Sequence, residues 1–332
     1  MNKKAVALLS GGLDSTLAVK VLLDQGIEVT ALNFLSPFCR CNSKTGCRLE
    51  SRKVAEKLGI ELKVTGLGKD YLEIVKSPPH GYGKNMNPCI DCRILMLKKA
   101  KEYMEESGAS FLITGEVLGQ RPMSQHKQAM RLIEREAGIE GLILRPLSAK
   151  LLEPTTMEKL GLIDRQKLLD ISGRSRKPQM QLAIDYGLKD YPCPAGGCLL
   201  TDPGFAKRLK DHLKYSDELS FNDVELLKIG RHFRPSNSTK IIVGRNKEEN
   251  DRLLQLVRGE DVIFKVADYV GPLVISRGRV NGEIIPLAAG ITVRYSDAPA
   301  EIPITVSYQR GEEKYSIEET AIEDSQLEVL RI

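Results

Sequence analysis

The sequence lacks the features of a protein that enters or crosses a membrane. No apolar run approaches the roughly 20 residues that a helix needs to span a bilayer. Residues 5–9 form a short apolar stretch near the start, but it is too short for the core of a signal peptide, and no small-residue cleavage site follows it. We therefore expect a cytoplasmic protein with no membrane partner.

Several common signatures of metal and nucleotide sites are also missing. The four histidines do not have the spacing of a zinc finger and only one CxxC pair is present, so a zinc knuckle is excluded. No GK[ST] follows a glycine-rich loop, which excludes a Walker-type phosphate loop. The chain contains no internal repeat and no low-complexity segment, so we expect ordinary globular domains.

Composition and charge narrow the class of protein only slightly. With 332 residues, 42% of them hydrophobic and 28% charged, the chain is globular and long enough for two domains. Its net charge of +5 is compatible with a nucleic-acid partner but does not require one. The seven cysteines are more informative, because clustered cysteines in a reducing compartment favour metal or redox chemistry over structural disulfides.

The first half of the chain alternates strand-like and helix-like segments, which predicts a parallel sheet covered by helices. Helices are predicted where apolar residues recur at helical spacing and a glycine follows. The predicted strands cover residues 5–9, 27–34, 60–65 and 111–114, and the predicted helices residues 14–25, 48–58 and 93–106. We expect a doubly wound α/β domain with its functional site at the carboxyl ends of the strands.

The second half of the chain changes character twice. Residues 154–188 are predicted to be mainly helical, residues 192–204 to form a loop rich in glycine and proline, and residues 205–213 to form a short helix. Further on, the pattern predicts a smaller α+β domain with strands at residues 240–243, 262–266, 273–275 and 302–308. The expected domains are residues 1–218 and 219–332.

A glycine-rich loop follows the first predicted strand and opens the first predicted helix. Residues 10–15 read Ser-Gly-Gly-Leu-Asp-Ser, in which two glycines permit a tight turn and the N–H groups of the helix start can hold an anion. Asp14 is unexpected beside a phosphate unless a magnesium ion or the N–H groups of the loop occupy its carboxylate. A simple strand-to-helix turn is the alternative, and the six residues together favour a phosphate-binding loop.

This run resembles the SGGxDS signature of the PP-loop ATP pyrophosphatases. The resemblance implies that ATP is cleaved to AMP and pyrophosphate, that AMP activates a carbonyl oxygen, and that a nucleophile then displaces AMP. It implies an adenine site at the end of the second strand, beside Asn33 and Phe34. It also implies that the loop holds pyrophosphate, with Asp14 essential for the chemistry, through Ser10, Gly11, Gly12, Asp14 and Ser15.

A CxxC pair, Cys89 and Cys92, stands at the start of a predicted helix. A loop rich in proline, glycine and asparagine precedes it, whereas a thioredoxin motif would follow directly on a strand. Because a helix N-terminus lowers the pKa of a thiol, we expect at least one thiolate near neutral pH. Two packed structural thiols are the alternative, and ligation or catalysis is the favoured interpretation.

Later motifs resemble two families of tRNA-modifying enzymes. Residues 114–120 and 123–125 are similar to the TGxxLGQxxSQ run of tRNA 4-thiouridine synthetases, and residues 145–147 match the next landmark of that family. Residues 195–199 resemble the Gly-x-Cys loop of tRNA 2-thiouridylases. These resemblances imply an ATP-dependent tRNA sulfurtransferase that adenylates a uridine carbonyl and inserts sulfur, with 4-thiouridine favoured over 2-thiouridine. They also imply a role in nucleotide binding for Thr114, Gly115 and Gln120.

The same resemblance implies an iron–sulfur centre. In sulfur-transferring relatives a CxxC pair and a distant third cysteine hold a [4Fe–4S] cluster whose fourth iron is open to carry sulfide. Here the ligands would be Cys89, Cys92 and Cys198, with Cys193 as a competitor for the third place. The alternative is a cluster-free enzyme with a persulfide on one cysteine and a second cysteine as resolving thiol. The sulfur donor would be a cysteine desulfurase or free sulfide.

Three further cysteines follow the second predicted strand within nine residues: Cys39, Cys41 and Cys47. Such clustering is unusual for a cytoplasmic loop. The sequence favours equally a loop with incidental thiols and a second metal site.

The carboxyl-terminal domain is the expected RNA contact. Residues 228–234 and 240–247 interleave basic side chains with Phe233, which suits phosphate contact and base stacking. Together with residues 264–268 they resemble the NFACT-R domain, an RNA-binding module. Neither the THUMP region nor the rhodanese-like tail of 4-thiouridine synthetases is visible, so we expect this domain to hold tRNA through Arg231, Arg234, Arg245 and Lys247. An ordinary basic face on a dimerisation domain is the alternative, and the sequence leaves a homodimer open.

Two other functions are weighed against tRNA thiolation. A 7-cyano-7-deazaguanine synthase would need a compact four-cysteine zinc motif near the carboxyl terminus, and none follows Cys198. A non-catalytic RNA-binding quality-control factor with a vestigial nucleotide fold would not need the intact phosphate loop. The sequence therefore favours an enzyme that uses ATP, magnesium and a [4Fe–4S] cluster.

Overall fold

The computed structural model describes residues 2–40, 47–188 and 197–332, without the side chains of Cys47 and Arg48. The chain divides into two compact units, Met1–Asp202 and Pro203–Ile332. The domain boundary that the sequence suggests, after residue 218, lies within the second of these units and stays a prediction. Among the described residues no helix is both long and apolar enough to cross a membrane.

The first unit is built on a five-stranded parallel sheet in the order β3-β2-β1-β4-β5. The central strand, β1, pairs on one side with β2 and on the other with β4. The strands are β1 (Lys4–Leu8), β2 (Glu28–Leu35), β3 (Leu62–Gly66), β4 (Phe111–Thr114) and β5 (Ile143–Leu144). The predicted parallel α/β fold is confirmed.

Helices cover both faces of this sheet, because alternate residues of a strand point to opposite sides. They are α1 (Leu13–Leu23), α2 (Cys47–Leu58), α3 (Lys69–Lys76), α4 (Cys89–Glu106), α5 (Lys127–Ala137), α6 (Thr156–Lys159) and α7 (Lys177–Asp185). Ala5 and Ala7 belong to a core shared with α1, α2 and α7. Val6 and Leu8 belong to a second core shared with α4 and α5. Packing on both faces explains why the strand sequences are continuous apolar runs rather than alternating ones.

The predicted segments of the first unit agree with the structure to within a few residues, except in two places. The helix predicted over residues 93–106 begins four residues earlier, so both cysteines of the CxxC pair lie in its first turn. Residues 154–188 are less helical than predicted, because only α6, α7 and one 3-10 turn at Arg165–Lys167 are formed there. Gly161 and Gly173, both with positive φ, break this stretch into short turns.

The second unit contains a six-stranded antiparallel sheet in the order β11-β10-β8-β9-β7-β6. Its strands are β6 (Arg231–Ser236), β7 (Thr239–Val243), β8 (Val262–Val266), β9 (Val274–Gly278), β10 (Ile304–Arg310) and β11 (Glu313–Glu319). Its helices are α8 (Pro203–Tyr215), α9 (Phe221–Lys228), α10 (Lys247–Leu256), α11 (Ile284–Arg294) and α12 (Asp324–Leu330). Helix α11 covers the apolar face of the sheet. The predicted smaller α+β domain is confirmed.

Candidate active site of the first unit

The glycine-rich loop joins β1 to α1 at the carboxyl end of the central strand. The hydroxyls of Ser10 and Ser15 lie 3.2 Å apart, and the Ser15 hydroxyl also donates to the carbonyl of Gly12 at 2.9 Å. Gly12 is the N-cap of α1 and has no side chain to occupy the N–H groups of the first turn. Those N–H groups are therefore available to an anion, as the phosphate-loop interpretation requires.

Two glycines of the predicted site are fixed by close backbone packing. Gly11 has a φ of +80°, and a Cβ there would lie 2.6 Å from the backbone nitrogen of Ser51. A Cβ on Gly115 would lie 2.5 Å from the carbonyl carbon of Asp14. Any other residue at either position would displace backbone atoms, so the end of β4 can rest directly on the loop only because residue 115 is glycine.

Asp14 connects the loop to two distant segments. Gln120 donates its amide N–H to one carboxylate oxygen at 3.1 Å, and the guanidinium of Arg176 lies 3.9 Å from the same oxygen. The other oxygen, Oδ1, is buried and has no hydrogen-bond partner among the described residues. A buried acceptor without a partner carries a free-energy cost, and a magnesium ion or a donor on a bound ligand would remove that cost.

The remaining predicted nucleotide residues surround the loop at the ends of β2 and β4. Asn33 is buried and donates its amide to the carbonyl of Leu9 at 2.7 Å, so it holds β2 to the loop. Its Oδ1 has no partner among the described residues, and neither does Nε of Arg176. Phe34 is half-buried on the α4 face of the sheet, and the Thr114 hydroxyl donates to Glu116 at 3.3 Å. Unpartnered polar atoms thus collect where β1 and β2 end.

The structure brings Cys198 to the CxxC pair from more than a hundred residues away. The amide of Asn85 donates to the carbonyl of Thr201 at 2.8 Å, and the N–H of Met86 donates to the carbonyl of Leu200 at 3.0 Å. These bonds tie the segment after Cys198 to the loop that precedes α4. Cys39 lies there too, because it forms an antiparallel bridge with Cys198.

Burial dominates the electrostatics of these thiols. It raises the pKa of Cys89 and of Cys92, although the guanidinium groups of Arg93 and Arg121 oppose the rise. Burial, together with the nearby thiols of Cys92, Cys89 and Cys39, raises the pKa of Cys198 to about 12. The lowered thiol pKa expected from the helix N-terminus is therefore wrong for this structure. The mutual effect of the thiols shows that all four cysteines lie within electrostatic range.

Tyr71 is the common neighbour of the cysteines. Its side chain is almost fully buried and hydrogen-bonds with Cys92, and its ring packs edge-on against Phe38 with the centroids 5.7 Å apart. Burial raises the pKa of Tyr71, and the thiols of Cys92 and Cys198 raise it further. Tyr71 therefore stays protonated and can donate a hydrogen bond to sulfur.

The structure brings the three predicted cluster ligands into one region, but it does not place them around a single ion. In the described part of the chain no three Cys, His, Asp or Glu side chains are placed to ligate one metal ion. The thiols of Cys89, Cys92 and Cys198 nevertheless share one location and come from two segments of the chain, α4 and the turn at residue 198. A four-iron cluster separates its thiolate ligands by more than a single ion does, and deprotonation on ligation would overcome the raised pKa values.

A buried ion-pair network links α4 to the ends of β4 and β5. Glu116 accepts from Nε of Arg93 at 2.8 Å and from Nε of Arg145 at 2.9 Å, and Arg145 also pairs with Glu134. Burial alone raises the pKa of Glu116, but the two guanidinium groups outweigh it and lower that pKa to about 2. Arg93 directly follows Cys92, so this network fixes the first turn of α4 against the strand end that rests on the phosphate loop.

Sequence reasoning missed several members of this site. Cys39 was assigned to a separate group with Cys41 and Cys47, yet it lies beside Cys198. Cys41 and Cys193 lie outside the described residues, as does the side chain of Cys47. Arg176 belongs to a basic stretch that the sequence does show, but only tertiary packing reveals that it reaches Asp14. No sequence signal singles out Tyr71.

In the second unit, three of the four predicted RNA-binding residues have internal partners. Arg234 makes a forked pair with Asp211, with Nε 3.2 Å from each carboxylate oxygen. Arg245 donates from Nε to Glu249 at 2.9 Å, and the guanidinium of Arg231 lies 4.7 Å from the centre of the Tyr295 ring. Lys247 is exposed at the first turn of α10.

Two family models match separate parts of the chain. Residues 1–152 match the model described as "Thiamine biosynthesis protein (ThiI)", and residues 230–330 match the model described as "NFACT protein RNA binding domain". The first match contains the phosphate loop and the CxxC pair. The second contains β6 to β11 and the four predicted RNA-binding residues.

Individual relatives are similar over different lengths. A tRNA-specific 2-thiouridylase MnmA from Methylobacillus flagellatus is 23% identical over 91% of this chain and 88% of its own length. A protein named "Probable tRNA sulfurtransferase" from Thermoanaerobacter sp. is 35% identical over 36% of this chain, and the chain spans only 30% of that protein. Among solved structures, a 4-thiouridine synthetase–RNA complex with bound ATP is 22% identical, with a TM-score of 0.36 over 68% of this chain and 52% of that one.

Proposed function

We propose that the chain is an ATP-dependent tRNA sulfurtransferase, because residues 1–152 match the ThiI family model and residues 230–330 match the model of the NFACT RNA-binding domain. The reaction adenylates a uridine carbonyl oxygen, and a sulfur nucleophile then displaces AMP. The observation that carries this proposal is that neighbouring residues, Gln120 and Arg121, lie near the two chemical parts of the first unit, the phosphate loop and the cysteines. Gln120 donates to Asp14 of the phosphate loop, and its neighbour Arg121 opposes the raised pKa of both Cys89 and Cys92.

The phosphate loop is proposed to bind ATP and the pyrophosphate that it releases. The N–H groups at the start of α1 and the hydroxyls of Ser10 and Ser15 can donate to phosphate oxygens. Asp14 offers the buried, unpartnered Oδ1 to magnesium, and Arg176 can neutralise charge that develops on the phosphates. The unpartnered Oδ1 of Asn33 lies at the end of β2, where the adenine is expected.

The sulfur side of the reaction is proposed to use Cys89, Cys92 and Cys198. These three cysteines would hold a [4Fe–4S] cluster, which supplies an open iron able to carry sulfide. The protein's own residues fix this site: the Glu116 network holds α4, the hydrogen bonds of Asn85 and Met86 hold the segment that carries Cys198, and Tyr71 hydrogen-bonds with Cys92. A cluster-free enzyme with a persulfide on one of these cysteines is the alternative. The sulfur would come from a cysteine desulfurase, which can deliver persulfide sulfur, or from free sulfide, which can serve only the cluster.

The product is proposed to be 4-thiouridine, on the resemblance of residues 114–125 to 4-thiouridine synthetases. 2-Thiouridine is the competing product, favoured by the similarity to the Methylobacillus enzyme over most of both chains. The second unit is proposed to hold tRNA, and its exposed Lys247 is the predicted contact for which the structure shows no internal partner among the described residues. Magnesium, the [4Fe–4S] cluster, the sulfur donor, cytoplasmic location and a homodimer stay predictions.

The test is to incubate the full chain anaerobically with ATP, magnesium and unmodified tRNA, once with sulfide and once with a cysteine desulfurase and cysteine. We expect AMP and thiolated nucleoside in equal amounts, with the nucleoside identified as 4-thiouridine after digestion. If the product is 2-thiouridine, the assignment of 4-thiouridine is wrong, but the proposal of ATP-dependent tRNA thiolation stands. AMP formation without any thionucleoside, or thiolation that needs no ATP, would overturn the proposal. Iron and sulfide counts on the same preparation decide between the cluster and the persulfide.

A further inference from the structure

Cys39 and Cys198 face each other across a short antiparallel bridge outside the main sheet. The N–H of Leu199 donates to the carbonyl of Phe38 at 2.8 Å, so the bond joins the residue after Cys198 to the residue before Cys39. This pattern makes Cys39 and Cys198 a non-hydrogen-bonded pair of the antiparallel type. In such pairs the Cα atoms are about 4.5 Å apart and the side chains are closest.

This separation falls in the range that a disulfide can bridge. Disulfides join residues whose Cα atoms are roughly 4.4–6.8 Å apart, so the pair needs no large backbone movement to bond. Both side chains are partly exposed, so a small reagent can reach them.

Both sides of the bridge are anchored in the first unit. Phe38 is fully buried against Tyr71, and Arg40 pairs with Asp202 at 2.7 Å. The hydroxyl of Thr201 donates to the carbonyl of Cys198 at 2.7 Å. These contacts hold Cys39 and Cys198 opposite each other, so their pairing is fixed by the surrounding structure.

We propose that Cys39 and Cys198 form a reversible cross-strand disulfide that takes Cys198 out of the sulfur-transfer site. The oxidant is a low-molecular-weight disulfide of the glutathione class. One thiolate attacks it and forms a mixed disulfide, and one small thiol leaves. The partner thiol then loses its proton and attacks the mixed disulfide, which forms the Cys39–Cys198 bond and releases the second small thiol. Two protein thiols are oxidised by two electrons, and the small disulfide is reduced to two thiols.

The consequence for the site rests on the proposed function. A sulfur atom bonded to Cys39 can neither ligate iron nor carry a persulfide, so the oxidised chain lacks the third cysteine under both versions of the chemistry. A dithiol reductant restores it. The bond itself does not depend on the proposed function.

The experiment starts from the full chain, reduced with a dithiol under nitrogen and freed of small molecules. Oxidised glutathione is added, remaining thiols are alkylated, and the digest is mapped by mass spectrometry. We expect a cross-linked peptide pair containing Cys39 and Cys198, a loss of two hydrogen atoms from the intact chain, and reversal by dithiothreitol. Cys92→Ser, the matched control, should still form the pair, whereas Cys39→Ser should not.

A bond from Cys198 to any cysteine other than Cys39, or a stable glutathione adduct on Cys198 with Cys39 left as a thiol, would overturn the inference. In wild type we expect iron content and tRNA thiolation to fall at least tenfold in the oxidised fraction and to return when the chain is reduced and supplied with iron and sulfide. If the reduced chain never thiolates tRNA, the proposed function fails while the peptide map still decides the disulfide.

Discussion

The two units differ in how their notable polar side chains are partnered. In the first unit Asp14, Asn33 and Arg176 each keep a buried atom without a hydrogen-bond partner among the described residues. In the second unit Arg234 and Arg245 are paired with carboxylates, and Arg231 lies over Tyr295. Unpartnered buried atoms that gather around one loop indicate a place for a ligand, whereas paired arginines indicate internal stabilisation. A run of polar residues in the sequence therefore indicates a ligand site in the first unit and internal ion pairs in the second.

Among the substitutions that test this difference between the units, we expect the largest loss of activity at Asp14. Asp14→Asn removes the charge that faces Arg176 and offers an amide where magnesium or a ligand donor is expected. We expect AMP formation to fall at least about a hundredfold, in line with the loss of a preorganised charged group, while the free energy of unfolding stays nearly constant. The measurement is AMP release with tRNA and sulfide. Asp24→Asn, on the exposed end of α1, serves as the control, and wild-type AMP release by Asp14→Asn would remove the phosphate-loop assignment.

The Glu116 carboxylate tests the opposite condition, since it is buried and both of its oxygens accept hydrogen bonds from arginine. The pKa of Glu116 is lowered from 4.5 to about 2, so its contribution to stability is present above pH 4.5 and is lost as the pH falls from 4.5 towards 2. That shift corresponds to a contribution of the order of 3 kcal/mol.

Glu116→Gln should therefore lower the free energy of unfolding at pH 7 by about 3 kcal/mol, because Arg93 and Arg145 lose their buried anion. The gap between wild type and variant should shrink between pH 4.5 and 2 in urea titrations. The exposed Glu106→Gln is the control. A gap that does not change with pH would contradict this account of Glu116.

A smaller effect is expected at Arg176, which the sequence did not single out. Arg176→Ala should lower the rate of AMP formation about tenfold, because the residue faces Asp14 without closing the site by itself. Arg174→Ala, an exposed neighbour in the same basic stretch, should change the rate by less than about twofold. Equal rates for the two variants would show that Arg176 holds no phosphate.

The smallest expected effect is a difference in tRNA affinity between two variants of basic residues in the second unit. Arg245 is held by Glu249, whereas Lys247 is exposed. Lys247→Ala should therefore weaken tRNA binding about threefold and lower the slope of its salt dependence by about one released counterion. Arg245→Ala should change tRNA affinity less. The measurement is tRNA affinity at several salt concentrations. If Arg245→Ala loses more tRNA affinity than Lys247→Ala, Arg245 leaves Glu249 when tRNA binds.

The sequence predicted the parts of the fold that depend on local pattern and missed the parts that depend on tertiary packing. The strands at 111–114 and 262–266 were predicted to the residue, since continuous apolar runs bounded by turns allow little else. Strand β5, with two residues, is too short to produce any periodic signal. The loop motif located the carboxyl end of β1 correctly. The contacts of Arg176 with Asp14 and of Cys39 with Cys198 join residues more than a hundred positions apart, and no local pattern encodes them.

The central claim is that ATP activates a carbonyl oxygen of uridine, and an isotope label tests it most directly. The full chain is incubated with ATP, sulfide and tRNA whose uridines carry oxygen-18 at position 4. Adenylation bonds that oxygen to phosphorus, so the account predicts one labelled oxygen in the phosphate group of AMP for every thionucleoside formed. Label at position 2 would enter AMP instead if the product were 2-thiouridine. Thiolated tRNA accompanied by unlabelled AMP, with either position labelled, would contradict the account.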